Sequence, residues 1–388
     1  MPDAGARTVL LTGATGFVGR ELLWRLARVP GQQIVCLVRA ANQAEADRRV
    51  ADLLARARPS PLPPDASARV EAIPSDLSAD RLGLDAGRWD RLATRPFRVV
   101  HCAATVNWAL PLDAARATNV LGTRRVLDLA SVAARAGVLE RFDYVSTCNV
   151  CGRRPGLVAE EDLDDRHGFF NAYEQSKFEA ERLVRSSGLP VMTFRLSMVV
   201  GDSRTGYAST FKVMYWPLKM LARGMALVVP ADRAGVLDIV PVDYVCDALE
   251  HISRNTLLRG RTFHLAAGPG ASSTIGEVLD LACRTFGVRG PLLVPAGFYE
   301  AVIRPLAWLL VWGKRRDAMK KARVYLPYFS YRAHFETTRT TAALAGSAAR
   351  VPPVREYFQR LVDYAVDSDW GRRDAATTAT AAPRGDVT

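Results

Sequence analysis

The chain has 388 residues, 49% of them hydrophobic and 24% charged, which supports a sizeable core and excludes a disordered or fibrous chain. Its net charge of +12 suits an acidic partner, but no zinc-finger, helix-turn-helix or aromatic RNA-binding pattern accompanies the charge, which argues against nucleic acid. Six scattered cysteines make no disulfide framework and no charged-then-apolar leader precedes the first apolar run, so the expected setting is cytoplasmic.

The first apolar run, Thr8 to Leu11, reads as a short buried strand, and Glu21 to Val29 as a helix with Leu22, Leu23 and Leu26 on one face. Between them, TGATGFVG (Thr12 to Gly19) spaces Gly13, Gly16 and Gly19 as G-x-x-G-x-x-G. Glycine tolerates a tight turn and lets backbone N–H groups approach a pyrophosphate at a helix N-terminus. With a strand before it and a helix after it, the pattern is a Rossmann fingerprint rather than an ordinary strand-to-helix turn. Gly13, Thr15, Gly16, Phe17, Val18 and Gly19 are therefore the candidate dinucleotide contacts. The second strand, Gln33 to Val38, ends in Arg39, with Arg48 and Arg49 beyond it. An acidic residue there would hydrogen-bond a ribose 2′-OH, whereas arginine suits a 2′-phosphate, so Arg39 and Arg49 point to NADPH. A surface arginine in an arginine-rich chain is the bland alternative.

A proline-rich loop, Arg58 to Pro64, precedes the third strand, Arg69 to Ile73, which leads to Asp76 and Leu77 as an adenine contact. The fourth strand, Phe97 to His101, runs into Ala103 and Ala104, small enough for a dinucleotide to lie against the backbone. Packing alone would explain those alanines equally well. The fifth, Arg141 to Val145, ends in Ser146 and Thr147, and NAYEQSKFEAE then sets Tyr173 and Lys177 four apart on one helix face. A free phenol titrates near pH ~10, and a nearby ammonium favours its ionised form. In a carbonyl reduction, Tyr173 protonates the developing alkoxide, Thr147 hydrogen-bonds the same oxygen, and Lys177 holds the cofactor ribose and tunes the tyrosine. The intervening Cys148-x-x-Cys151 invites a redox reading, but no second pair completes a zinc site, and small residues filling a sheet's end account for it.

Past residue 200 two lobes interleave. The expected organisation is an α/β Rossmann domain, a doubly wound parallel sheet, over 1–206, completed by about 236–268 with a strand at Thr262 to Ala266. A smaller, mostly helical substrate lobe takes 207–235 and 269–370, and 371–388 forms a disordered tail. Phe211, Met214, Tyr215, Leu218 and Leu221 recur at helical spacing, as a core helix or as the wall of an acyl pocket. The aromatic run from Phe298 to Trp312, with its basic cluster up to Lys321, is too short and interrupted to span a bilayer. It reads as a lid helix or as a peripheral membrane contact through 298–321.

These motifs resemble those of the extended short-chain dehydrogenases/reductases from Thr8 to about Asp247. Asn119-Val-Leu-Gly-Thr123 matches that family's helix signature. The stretches Arg195 to Gly206 and Leu237 to Val245 are similar to its acyl-thioester reductase branch, which holds fatty acyl-CoA reductases, male-sterility proteins and the terminal reductase domains of carboxylic acid reductases and nonribosomal peptide synthetases. The resemblance implies NADPH, a nicotinamide contact at Ser197, and a thioester reduced to an aldehyde or onward to the alcohol, delivered as acyl-CoA or on an acyl carrier protein. Leu196 stands where that family often has proline. The rival readings are a nucleotide-sugar epimerase or dehydratase, a sterol dehydrogenase, and a non-catalytic NADP(H) sensor. No metal is expected.

Overall fold

Val9 and Leu11 of the first strand face one hydrophobic cluster and Leu10 faces another, so the strand is buried on both sides, as a parallel sheet between two helical layers demands. In the computed structural model, which describes residues 8–55, 61–306 and 325–373, seven strands form that sheet. They are β1 (Thr8–Thr12), β2 (Gln33–Val38), β3 (Val70–Pro74), β4 (Phe97–His101), β5 (Leu139–Thr147), β6 (Val191–Leu196) and β7 (Thr262–Leu265). Their spatial order is β7-β6-β5-β4-β1-β2-β3, with every pairing parallel. The strand order reverses between β1 and β4, and the crevice beyond the carboxyl ends of those two strands is where such sheets bind ligands.

Helices α1 (Phe17–Arg28) and α2 (Gln43–Ala55) cover one face of the sheet. Helices α3 (Ala86–Thr94), α4 (Gly122–Arg135) and α5 (Ala172–Arg185) lie over the other. After a short helix α6 (Tyr215–Ala222), α7 (Val242–Ser253) returns to pack its Val245, Leu249 and Ile252 against Leu22 and Leu26 of α1. A third core joins α6 to α8 (Ile275–Phe286) and α9 (Val354–Asp367) through Leu218, Leu221, Val278, Tyr357, Phe358 and Leu361.

Two expected elements begin elsewhere. Helix α1 starts at Phe17, not Glu21, because Gly19 lies within its first turn: a Cβ there would stand 2.1 Å from the Gly13 carbonyl oxygen, so only glycine lets the helix start against the turn. The stripe from Phe211 becomes helical only at Tyr215, since Val213 takes a positive φ of 49°. Residues 58–60 of the proline-rich loop, 307–321 of the aromatic and basic run and 374–388 of the tail lie outside the described residues. Among the described residues no helix is long and apolar enough to cross a membrane.

Candidate active site

The glycine turn lies at the reversal of strand order. Gly13 has φ +75°, and a Cβ on it would sit 2.6 Å from the backbone nitrogen of Ala103, at the end of β4. The Gly16 N–H donates to the Gly13 carbonyl at 2.9 Å, and Gly16 caps α1 with no side chain on the helix's first N–H groups. Those donors, with the positive end of the helix dipole, form a cradle for a phosphate, and the close contacts leave no room for side chains. Thr15, Phe17 and Val18 lie in the same turn and helix start, and Ala103 and Ala104, half-buried, follow the neighbouring strand. The residues present therefore fit a dinucleotide.

Arg39 is exposed immediately after β2 and helps hold the Asp76 carboxyl below its usual range, after the hydrogen bonds Asp76 accepts from Ser78. Arg49 is tied to Glu45 at 2.5 Å one turn back on α2, so Arg39 is the freer of the two for a 2′-phosphate. Leu77 sits half-buried beside Asp76, its Cβ near the α carbon of Gly122 on α4. Ser197 follows β6, its N–H donating to the Leu265 carbonyl at 3.3 Å.

Thr147, Tyr173 and Lys177 meet at the carboxyl end of β5. Thr147 closes that strand, its hydroxyl donating to the Leu196 carbonyl and accepting from the Asn149 N–H, both at 3.3 Å. Tyr173 lies in the first turn of α5, whose N-cap is Asn171: the Asn171 side-chain oxygen accepts from the Glu174 N–H at 3.1 Å. The Ser176 hydroxyl donates to the Tyr173 carbonyl at 2.9 Å and accepts from the Asn119 amide at 2.9 Å. Asn119 also exchanges hydrogen bonds with the Thr105 backbone, so the signature segment fastens the loop after β4 to the tyrosine's turn.

The Lys177 ammonium is held by strand β5. It donates to the Tyr144 hydroxyl and to the Val145 carbonyl, both at 2.8 Å, beneath the site. Burial lowers Lys177 to about 7 despite the opposing pull of Glu181. Burial likewise pushes Tyr173 up to about 12, only partly offset by Thr147. The phenol is thus a protonated donor at neutral pH, the form a reduction requires.

Residues that sequence reasoning passed over complete the surroundings. The Glu174 carboxylate accepts hydrogen bonds from the Phe170 N–H at 2.9 Å and from the Tyr328 hydroxyl, which itself accepts from the Asn171 side-chain amide at 2.7 Å. Tyr328 stacks on Trp108 with ring centroids 4.8 Å apart. Glu174 was visible between Tyr173 and Lys177, and the repeated tyrosines at 325, 328 and 331 were a signal, but 154 residues separate Glu174 from Tyr328. Arg195, prominent in the motif, is wholly buried against Glu181 and His264, and is structural. Cys148 and Cys151 are buried free thiols, raised by desolvation and so protonated. Among the described residues there is no cluster able to hold a metal.

Beyond Tyr328 and Trp108 opens an apolar cavity of about 530 Å³. Met214, Leu218 and Leu221 of the expected stripe line it and also belong to the third core, so the stripe is at once a core face and a cavity wall.

Comparison with known proteins agrees with this geometry. The family model described as male sterility protein matches residues 11–249. An isonitrile lipopeptide synthase of Streptomyces coeruleorubidus is 35% identical over 369 residues, 92% of this chain and 24% of that protein. A carboxylic acid reductase of Mycobacterium marinum is 32% identical over 295 residues, 67% of this chain and 24% of that protein. The terminal R domain from the myxalamid PKS-NRPS biosynthetic pathway superposes with a TM-score of 0.80 at 30% identity, covering 96% of this chain and 94% of that one. The chain spans only 5% to 26% of the length of the curated relatives it matches.

Proposed function

The chain belongs to the male sterility protein family, in the acyl-thioester reductase branch of the extended short-chain dehydrogenases/reductases, and from that premise we propose that it reduces an acyl thioester to an aldehyde with NADPH. The observation that supports this reading is that the helix carrying Tyr173 starts beside the end of β5, where Thr147 sits, and is tied through Asn171 and Glu174 to Tyr328, which lines the apolar cavity. The relative named as a carboxylic acid reductase and the terminal R domain support it. The thioester arrives as acyl-CoA or on a carrier protein.

NADPH, when bound, supplies a hydride to the thioester carbonyl carbon. Thr147 and Tyr173 hold the carbonyl oxygen, and Tyr173 transfers its proton there as negative charge builds. The resulting thiohemiacetal loses its C–S bond, giving aldehyde and free thiol. The overall balance is one thioester, one NADPH and one proton to one aldehyde, one thiol and NADP⁺. Lys177 supports the floor of the site through Tyr144 and the Val145 carbonyl, and would hold the ribose of a bound cofactor. Asn119 and Ser176 fix the backbone of the tyrosine's turn. The apolar cavity excludes water from the acyl chain and favours hydrocarbon over polar acyl groups, since a buried amide without a partner costs about 1–3 kcal/mol.

The test is NADPH oxidation by the purified protein against acyl thioesters of increasing chain length, with products identified by mass spectrometry. Wild type yields aldehyde or alcohol with a chain-length optimum. Tyr173→Phe keeps NADPH affinity within about threefold while turnover falls by two orders of magnitude or more, on the order expected for a lost general acid. A fully active Tyr173→Phe protein overturns the assignment.

A further inference from the structure

The first turn of α1 leads into a cation where a helix ordinarily favours an anion. The N-cap is Gly16, no acidic residue lies in the first turn, and the fourth helical residue is Arg20. A positive side chain there opposes the positive end of the helix dipole. The backbone of Arg20 is committed, its N–H donating to the Gly16 carbonyl at 3.1 Å. Its side chain reaches back to the glycine turn, with Nη2 3.5 Å from the Thr15 carbonyl oxygen, the outer limit of a hydrogen bond. Its Nε is buried and has no hydrogen-bond partner in the protein. Among the described residues no carboxylate pairs with it. By contrast, Arg25 meets Glu21 and Asp247, Arg49 meets Glu45, Arg69 meets Asp65 and three backbone carbonyls, and Arg28 lies over the ring of Trp24.

We infer that Arg20 is a phosphate ligand of the dinucleotide, completing the cradle that the glycine turn begins. Unpaired guanidinium donors and bare N–H groups at a helix start are satisfied together by one class of ligand, an oxyanion with several acceptor oxygens. A carboxylate from the protein, of the kind that pairs with Arg25 and Arg49, would have neutralised this charge and repelled a phosphate. Arg39 stands exposed after β2, whereas Arg20 rises from α1 and reaches the turn itself. In the free protein the arrangement costs stability, because the side chain and the helix end carry the same sign, and a bound phosphate reverses that sign. The dinucleotide offers two such groups, the pyrophosphate and the 2′-phosphate. The inference rests on the proposed cofactor site and is independent of the thioester.

The experiment measures the affinities of wild type, Arg20→Met and Arg20→Lys for NADPH and NADH by fluorescence titration, with the melting temperature of each free protein. Arg20→Met binds NADPH roughly tenfold or more weakly, the scale of a lost charge-assisted hydrogen bond. If the partner is the pyrophosphate, NADH weakens by the same factor. If it is the 2′-phosphate, NADH is unaffected and the preference for NADPH falls. Either pattern supports the assignment. Arg20→Lys keeps the charge without the planar fork and falls between the other two proteins. The free Arg20→Met protein melts no lower than wild type, since it loses an unpaired charge and no partner. Unchanged affinities for both cofactors overturn the inference, as does a free methionine variant that melts well below wild type, the mark of a structural arginine. A wild type that binds neither dinucleotide overturns it together with the cradle. A wild type that binds NADPH but reduces no thioester removes the proposed reaction alone.

Discussion

Glu174 stands next to the proton donor in sequence yet faces away from the chemistry, into a pocket formed by Phe170, Asn171 and Tyr328. Burial raises its carboxyl to about 7, against smaller downward pulls from Tyr328, the Phe170 N–H and Arg153. A carboxyl raised in the folded state binds its proton more tightly than in the unfolded chain. Its stabilising effect is therefore complete below about pH 4.5 and is lost as pH rises through 7. Glu174→Gln removes that titration, so the stability of the variant relative to wild type should rise by up to about 3 kcal/mol between pH 4.5 and pH 8. Denaturant unfolding at the two pH values measures it; a difference that does not change with pH contradicts the assignment. Thr147, Tyr173 and Lys177 were legible because a helical spacing of four and a strand end are local facts. The direction of Lys177 was not. Tyr144, which receives its ammonium, lies 33 residues away on β5, and no local pattern announces it.

At the scale of elements, the strand–turn–helix unit was read correctly from three glycines, and the structure supplies the reason for two of them. Gly13 needs both its positive φ and its bare α carbon against Ala103, while Gly19 needs a bare α carbon against the Gly13 carbonyl. Gly31 offers a control: its φ is also positive, at 73°, but a Cβ there would meet nothing within 4 Å. Gly31→Ala should cost about 1–2 kcal/mol of stability from backbone strain and leave cofactor affinity unchanged. Gly13→Ala should lose NADPH affinity by tenfold or more, because the turn must shift away from β4 to admit the methyl group. Fluorescence titration of NADPH against both variants separates the cases, and equal affinities would mean that the turn does not hold the cofactor. The helix boundary was misjudged for the same steric reason, since glycine ordinarily weakens a helix and here begins one. The stripe of α6 was legible as apolar, but periodicity cannot say whether an apolar face meets another helix or a cavity.

For the whole molecule, alternate burial along β1 and the reversal of strand order between β1 and β4 place the cofactor cradle, and the interleaved C-terminal segments place the cavity. The parallel sheet was readable from the succession of strands and helices. The assembly of α6, α8 and α9 into one core was not, because it joins three helices from separate stretches, 215–222, 275–286 and 354–367, that share no pattern beyond apolar side chains. The proposed reaction is a hydride transfer from NADPH to an acyl carbonyl beside Thr147 and Tyr173. That transfer is measured directly by incubating the protein with an S-acyl pantetheine thioester and NADPH deuterated at both C4 positions, then weighing the products. The account predicts aldehyde carrying one deuterium, or alcohol carrying two, with one equivalent of free thiol per acyl group. NADPH oxidation that leaves the acyl product without deuterium, or thiol release without reduction, would contradict it.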